Sequence, residues 1–193
     1  MDEQELIRRV QEGDEKAFSK IVRAYKDRIV NFLWQSTGDY QKAVELAQET
    51  FMRVYFKAHK YKPIAPFSSW IYTIASNLAK TEMKKTRKMS AVPFDDVQNM
   101  FVEENPSFDT NAKLDLIKNL RHALNRLHSR YRIPIILKDI EGFSQEEIAQ
   151  MLRKPVGTIK ARISRGRSYL KKELERTSSK INYFSKNGES KNG

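Results

Sequence analysis

The sequence contains no cysteine, which excludes disulfide bonds, cysteine-ligated zinc, iron–sulfur clusters and thiol catalysis. Only 7 of its 193 residues are glycine and 6 are proline. Because apolar residues recur at helical spacing over most of the chain, this composition favours an all-α fold over a β-sandwich or barrel. No apolar run approaches the roughly 20 residues that span a bilayer, and the charged N-terminal sequence is unlike a secretory signal peptide. We therefore expect a soluble, cytoplasmic protein that does not insert into membranes.

Recognisable catalytic and metal-binding motifs are also missing. The three histidines, His59, His122 and His128, lack the spacing of metal ligands. No phosphate-binding glycine loop, dinucleotide fingerprint or calcium-binding loop is present. The acidic residues form no recognisable nuclease or glycosidase pair. We therefore expect no enzyme activity, no metal and no cofactor.

The sequence is rich in positive charge, and that charge is unevenly distributed. The formal net charge is +12 at pH 7. Residues 1–88 carry 17 Lys and Arg against 11 Asp and Glu, residues 89–115 carry 1 against 6, and residues 116–193 carry 18 against 7. Two basic parts on either side of an acidic one suggest a polyanionic partner, usually nucleic acid. Basic residues that only maintain solubility would give the same totals.

Hydrophobic periodicity divides the chain into two small helical domains and a linker. Asp14 is a plausible N-cap in the first domain, and a loop at residues 60–66 is interrupted by two prolines. The periodicity then fails over a stretch rich in Pro, Asn, Asp and Glu, which is typical of a flexible linker. The predicted parts are a helical domain at 1–88, an acidic flexible linker at 89–115, a second helical domain at 116–176 and a flexible tail at 177–193.

The most specific local signal lies in the second domain. Ser144 and Glu147 fit a capping box, with Ser144 as the N-cap of a short helix. The residues 153–157 then force a turn, and a second helix is predicted over about 156–175. A short capped helix, a tight turn and a basic second helix together predict a helix-turn-helix.

A helical wheel separates the second helix into two faces. One side should pack inward and consists of Ile159, Ile163, Gly166 and Leu170. The opposite side is small, polar and cationic, with Ala161, Ser164 and Arg165 on it and Lys160 at its edge. A major groove about 12 Å wide admits such a helix, and Arg and Lys side chains reach guanine edges or phosphates. We interpret this side as a DNA-binding surface, with a merely solvated basic face as the alternative.

Four segments in order carry a family resemblance: VQEGDEKAF, ELAQETF, PFSSWIYTIASNLAK and PVGTIKARISRGR. They resemble consecutive pieces of extracytoplasmic-function (ECF) sigma factors, which belong to the sigma-70 superfamily, and the resemblance covers roughly residues 5–176. It implies that the protein binds core RNA polymerase and directs transcription initiation by reading the −35 and −10 elements of promoter DNA. It also implies control by an anti-sigma factor.

The resemblance assigns roles to residues of the first domain. The ELAQETF helix resembles the surface that contacts the polymerase clamp helices, although a solvated acidic face is the alternative reading. The expected core-binding residues are Glu45, Gln48 and Glu49. The loop 60–67 and the helix after it resemble the elements that open and read the −10 element, where a flipped base needs stacking and hydrogen-bond partners. The expected −10 residues are Lys60 and Lys62 for phosphates, and Tyr72 and Asn77 for the base.

In the second domain the resemblance agrees with the helical wheel. The positions that match −35 reading are Lys160, Ala161, Ser164 and Arg165, and the expected phosphate contacts are Thr158, Arg162 and Lys172. Fully extended, the 27 residues of the linker would span up to roughly 90 Å. The spacing of the two promoter elements implied by the family covers about 55–60 Å of duplex, so the linker can reach. In the family it threads the polymerase channels, and a plain spacer is the alternative.

Two other classes of protein remain as alternatives. A stand-alone helix-turn-helix regulator would use the ELAQETF helix to dimerise and would bind its promoter without polymerase. A site-specific recombinase or nuclease would need a nucleophilic Ser or Tyr with an arginine cluster, or a metal–carboxylate site, and neither is clear in the sequence. Co-purification with core polymerase separates the sigma factor from the regulator, and DNA cleavage would indicate the enzyme.

Overall fold

The computed structural model describes residues 3–89 and 112–188, and the secondary structure in these residues is entirely helical. The all-α prediction is therefore confirmed. A 3₁₀ turn at Ala58–Lys60 follows the third helix, and a π turn at Ile136–Ile140 follows the sixth. The α-helices are α1 Glu3–Gln11, α2 Glu15–Thr37, α3 Tyr40–Lys57, α4 Phe67–Met89, α5 Ala112–Arg126, α6 Ser129–Ile135, α7 Gln145–Leu152 and α8 Val156–Gly188.

The predicted boundaries can be compared with these helices only in part. Most of the predicted linker, residues 90–111, lies outside the described residues, and so do residues 189–193 of the predicted tail. The helix α5 begins at Ala112, four residues before the predicted start of the second domain. The helix α8 runs on to Gly188, well into the segment predicted to be a flexible tail. No proline or glycine stands between residues 177 and 187 to end it.

Local capping determines where the first helices begin and end. The Asp14 carboxylate accepts a hydrogen bond from the Lys16 backbone N–H at 2.8 Å, as the N-cap prediction requires. At the other end of α2, Gly38 has φ +84° and donates its N–H to the Trp34 carbonyl at 2.8 Å. Glycine suits this left-handed position because it has no Cβ. Asp39 then caps α3, so the two helices form an antiparallel pair joined by a tight turn.

The N-terminal helices enclose an aromatic core. The side chains of Phe32, Leu33 and Ile71 are fully buried where α2 and α4 meet. Nearby, the ring of Phe67 lies edge-on to that of Tyr25, with 5.5 Å between the ring centroids. This apolar burial is the main source of stability for the four helices.

The C-terminal helices form their own packed group and also pack directly on the N-terminal helices. Within the group, α6 and α7 each contact α8. Across the two groups, α2 contacts α5 and α6, and α4 contacts α6 and α7. The buried apolar residues consequently form one continuous cluster that runs from Leu6 to Ile163.

Candidate nucleic-acid interface

Capping hydrogen bonds define the ends of the first helix of the helix-turn-helix. The Ser144 hydroxyl accepts from the Glu147 backbone N–H at 3.1 Å, and the Glu147 carboxylate accepts from the Ser144 N–H at 2.7 Å. The predicted capping box is therefore confirmed. At the end of α7, Arg153 adopts a left-handed conformation with φ 51°, and its N–H donates to the Gln150 carbonyl at 3.2 Å. The chain turns there, and α8 begins three residues later at Val156.

The inward face of α8 is the one that the wheel predicts. Ile159 and Ile163 are almost completely buried. Gly166 lies against α6 so closely that a Cβ added there would overlap Ile135 Cδ1 and would sit 3.2 Å from Tyr131 Cβ. Because it has no Cβ, Gly166 allows this close approach of the two helices, which seats α8 on the domain.

The opposite side of α8 remains open to solvent. Lys160, Ala161, Ser164, Arg165 and Lys172 are exposed, and Thr158 and Arg162 are half-buried. The structure thus brings the predicted −35 residues together on one exposed surface, which we call the α8 cationic face. The small side chains of Ala161 and Ser164 at its centre would let the helix approach a groove closely.

The cations on α8 differ in whether they are already paired. Arg167 Nε donates to the Asp139 carboxylate at 3.0 Å, and this hydrogen bond raises the pKa of Arg167. Lys160 and Arg165, by contrast, have no acidic partner within the part of the chain that the structure describes. These two side chains are therefore available to an external anion or base edge, whereas Arg167 is held by its own domain.

The predicted core-binding residues lie on one side of α3. Glu45 and Gln48 are exposed, and Glu49 is half-buried and accepts from Arg53 Nε at 2.7 Å. The structure adds two apolar side chains that the sequence analysis missed, because Met52 is 54% exposed and Phe56 is 67% exposed. We call Glu45, Gln48, Glu49, Met52 and Phe56 the α3 face. Their helical spacing could have been recognised, but exposed apolar residues look like core residues in a sequence.

Three of the four predicted −10 residues are accessible. Lys60 ends the 3₁₀ turn after α3, Lys62 lies in the following loop, and Asn77 lies on α4, and all three are exposed. Beside Lys62, the loop residues 63–67 and the start of α1 line an open cleft of about 410 Å³. Ile64 is 89% exposed in this loop, which leaves an apolar side chain at the edge of the cleft.

The fourth residue, Tyr72, is not available, so the prediction that it stacks on a base does not hold in this arrangement. Its side chain is fully buried between Phe32 and Phe143, with ring centroids 5.2 and 5.0 Å away. Its hydroxyl donates to the Glu141 carboxylate. Burial, reinforced by that carboxylate, raises the pKa of Tyr72 well above its usual value. The periodicity of α4 could not reveal that Tyr72 is buried, because Phe143 and Glu141, which cover it, lie about 70 residues further along the chain.

Two kinds of feature are absent from residues 3–89 and 112–188. No group of three His, Asp or Glu side chains there could hold a metal ion. No helix there is both long enough and apolar enough to cross a membrane.

Comparison with known proteins is decisive for the family. Residues 21–89 match the model of sigma-70 region 2, and residues 117–170 match that of sigma-70 region 4. The ECF RNA polymerase sigma factor SigW of Bacillus subtilis is 33% identical over 177 residues, covering 87% of this chain and 94% of SigW. This chain belongs to the ECF group of the sigma-70 family. The RNA polymerase sigma-H factor of Pseudomonas aeruginosa is 30% identical to this sigma factor over 186 residues, or 90% of this chain and 94% of sigma-H.

Solved structures agree with the fold of this sigma factor. The sigma factor RpoE of Bartonella quintana, in complex with the anti-sigma factor NepR, has a TM-score of 0.65 at 26% identity, with 83% of this chain and 98% of RpoE covered. CnrH in complex with the cytosolic domain of CnrY has a TM-score of 0.67 at 22% identity, with 89% and 96% covered, and shows the fold alone. The α3 face lies within the region 2 match, and Lys160 to Arg165 of the α8 cationic face lie within the region 4 match.

Proposed function

We propose that this sigma factor binds core RNA polymerase through the α3 face and directs it to promoters. In this proposal α8 reads the −35 element, while α4 and the loop before it engage the −10 element. The observation that carries the proposal is the α8 cationic face, where Lys160 and Arg165 are exposed on a firmly seated helix and have no acidic partner among the residues that the structure describes. Such a face can contact bases directly, because its cations need not first break an ion pair.

At the −35 element, Arg165 is the best candidate for reading a base. It is exposed beside Ser164 and Ala161, whose short side chains let the groove floor come within reach. An arginine fork can bond to both guanine acceptors in the major groove. Lys160 lies at the edge of the same face. Thr158 near the helix N-terminus, Arg162 and Lys172 are proposed to hold phosphates, which fix the position of the helix without reading sequence.

At the −10 element, Lys60 and Lys62 are proposed to hold the phosphate backbone of the DNA near the cleft, and both are exposed. A base that leaves the duplex needs a recess with an apolar surface and hydrogen-bonding groups. The cleft at residues 63–67 offers an apolar surface from Ile64 and Phe67, and Glu3 of α1 supplies a hydrogen-bonding carboxylate at its lining. Asn77, exposed on α4, is proposed to contact a base edge.

Core binding is proposed to combine polar and apolar contacts on the α3 face. Glu45, Gln48 and Glu49 would pair with cationic and polar groups of the clamp helices. Met52 and Phe56 continue the same side of the helix and would supply the apolar contact that commonly dominates the energy of an interface. Since polymerase and promoter DNA are cytoplasmic, we expect the protein to act in the cytoplasm.

An anti-sigma factor is a further proposed partner. It is supported by the Bartonella quintana RpoE, which shares the fold and was solved with the anti-sigma factor NepR. An anti-sigma factor that blocks the α3 face or the α8 cationic face would prevent polymerase or promoter binding.

The experiment that tests the proposed function asks whether promoter binding depends on polymerase. The purified chain is mixed with core polymerase, co-elution is measured by size-exclusion chromatography, and protection of promoter DNA is measured with and without core. We expect co-elution, and protection of both elements only when core is present. Promoter protection by the chain alone, without co-elution, would instead indicate a stand-alone helix-turn-helix regulator.

A further inference from the structure

The cleft at residues 63–67 has two walls that come from different parts of the chain. One wall is the loop itself, and the other is the first turn of α1, where Glu3 lies. The match to sigma-70 region 2 begins at residue 21, so α1 lies outside it. The family resemblance therefore assigns no role to Glu3, although its carboxylate lines a cleft that is proposed to receive a base.

Hydrogen bonds attach α1 to the chain that leads into this loop. The Gln11 side-chain Nε2 donates to the Ala58 carbonyl at 2.9 Å and to the Tyr61 carbonyl at 3.1 Å. The Tyr61 hydroxyl in turn donates to the Ala65 carbonyl at 2.8 Å, which closes the loop on itself. The two walls of the cleft are therefore held together before any base enters it.

The Glu3 carboxylate is held in position by Tyr25 of α2. The Tyr25 hydroxyl donates to Glu3 Oε1 at 2.6 Å, and the buried Tyr25 ring lies edge-on to Phe67. Burial, reinforced by the Glu3 carboxylate, raises the pKa of Tyr25 above its usual value, so the hydroxyl remains a donor at neutral pH. Glu3 is exposed, and its other oxygen, Oε2, accepts no hydrogen bond from the residues that the structure describes. That oxygen is therefore available to a ligand in the cleft.

The other groups around the cleft do little to distinguish one base from another. Pro63 and Pro66 in the loop wall have no backbone N–H to donate. Gln4 also lines the cleft, but an amide can both donate and accept and so suits any base. Glu3 is the one charged side chain among the lining residues of this part of the structure, and an ionised carboxylate offers acceptors alone.

The bases differ in how well they complement a group that only accepts hydrogen bonds. The Watson–Crick edge of guanine carries two adjacent donors, the N1–H and the N2 amino group. Adenine and cytosine each place one amino group beside a ring nitrogen that accepts, and thymine has a single N–H between two carbonyls. An enzyme or factor that takes a base out of the stack reads this edge, so a carboxylate at the cleft matches guanine best and thymine worst.

We propose that Glu3 is a specificity-determining residue of the −10 site, which selects guanine as the base that enters the cleft and disfavours thymine. Tyr25 is a positioning residue in this scheme, because its hydroxyl holds Glu3 Oε1 and thereby orients the carboxylate. The inference rests on the proposed function, since it names the base for a recess that the proposed function assigns to the −10 element. It also makes α1 part of the promoter-reading surface.

The test measures which base is preferred at each position of the −10 element. Promoters randomised across this element are transcribed by core polymerase with the full chain, and the templates that yield transcripts are sequenced. We expect the wild-type chain to enrich guanine over thymine at one position. Glu3→Gln keeps the shape of the side chain but replaces one acceptor oxygen by a donor amide, so it should reduce that enrichment by roughly tenfold.

Inosine at that position of the non-template strand probes the contact directly. Inosine keeps the N1–H of guanine but lacks the N2 amino group, so it removes one of the two donors. The ratio of transcription from the guanine promoter to that from the inosine promoter should be larger for the wild-type chain than for Glu3→Gln. Any effect of inosine on strand opening is common to both chains and cancels in this comparison.

Two further variants make the result specific. Glu5→Gln makes the same chemical change on α1, at an exposed residue that pairs with Arg8 and does not line the cleft, and it should keep the wild-type preferences. Tyr25→Phe removes only the hydroxyl that orients Glu3, and it should reduce the enrichment of guanine less than Glu3→Gln does.

The outcomes separate this inference from the proposed function. If Glu3→Gln keeps the wild-type base preference at every −10 position and the wild-type ratio of guanine to inosine, Glu3 does not select the base, while the proposed function stands. A wild-type preference for thymine at every position that responds to Glu3→Gln would also overturn the inference. A wild-type chain that selects no −10 sequence together with core would overturn the proposed function and the role of Glu3 with it.

Discussion

Replacing Gly166 with alanine tests how α8 is seated on its domain. The added Cβ would overlap Ile135 Cδ1 and crowd Tyr131 Cβ at 3.2 Å. Ile135 is 2% exposed and lies in the core, so its side chain has little room to move away. We therefore expect α8 to shift from α6, which lowers both the stability of the domain and its affinity for the −35 element.

The size of the expected loss in the free energy of unfolding follows from a comparison with Gly157, a second glycine of α8. At Gly157 a Cβ would meet nothing within 4 Å. Gly157→Ala should therefore gain up to about 1 kcal/mol from helix propensity alone. Gly166→Ala has a similar propensity gain but also forces extra volume into a packed core, which costs about 1–3 kcal/mol. The two variants should consequently differ in free energy of unfolding by about 1–3 kcal/mol, with Gly166→Ala the less stable.

Urea denaturation of the full chain, followed by circular dichroism, measures this difference. Ile135→Val removes the methyl group that the new Cβ would meet. Alone it should cost about 0.5–1.5 kcal/mol, but in the Gly166→Ala background it should cost less or even stabilise. If Gly166→Ala is as stable as Gly157→Ala, or if the two changes at 135 and 166 are simply additive, the proposed close packing of α6 and α8 is refuted.

Two other predictions concern the proposed binding surfaces. Arg165→Ala should reduce discrimination at one −35 position by about 1–3 kcal/mol, while Lys172→Ala should weaken binding equally on all promoters. Transcription of a set of single-base −35 variants distinguishes them, and unchanged base preference in Arg165→Ala would exclude a base contact. Phe56→Ala should weaken core binding by at least about 1 kcal/mol, and the double change Gln48→Ala with Glu49→Ala should weaken it as well. Equilibrium titration with labelled core measures both, with Glu146→Ala as the control, and wild-type affinity in both α3 variants would contradict the assignment.

Local features of the fold could be predicted because they depend on residues close in sequence. The caps at Asp14 and Ser144 need only side chains and backbone groups within three residues. The two faces of α8 follow from helical geometry, and the small residue in its inward face, Gly166, is where α6 approaches. The family resemblance added the order of the two regions, which the matches to sigma-70 regions 2 and 4 confirm.

What could not be predicted depends on how distant parts of the chain meet. Tyr72 was expected to face DNA, but Phe143 and Glu141, some 70 residues away, cover it. The helical spacing of Met52 and Phe56 with Glu45, Gln48 and Glu49 is readable from the sequence, but their exposure is not, since an apolar residue on a helix is usually buried. The individual roles of residues on the α3 face and the α8 cationic face remain predictions.

Mapping transcription start sites tests the central claim most directly. Core polymerase is incubated with a library of genomic fragments, with and without the purified chain, and the 5′ ends of the transcripts are sequenced. The account predicts a new set of start sites that share −35 and −10 sequences and that shift in −35 preference with Arg165→Ala. Start sites identical to those of core alone would contradict it.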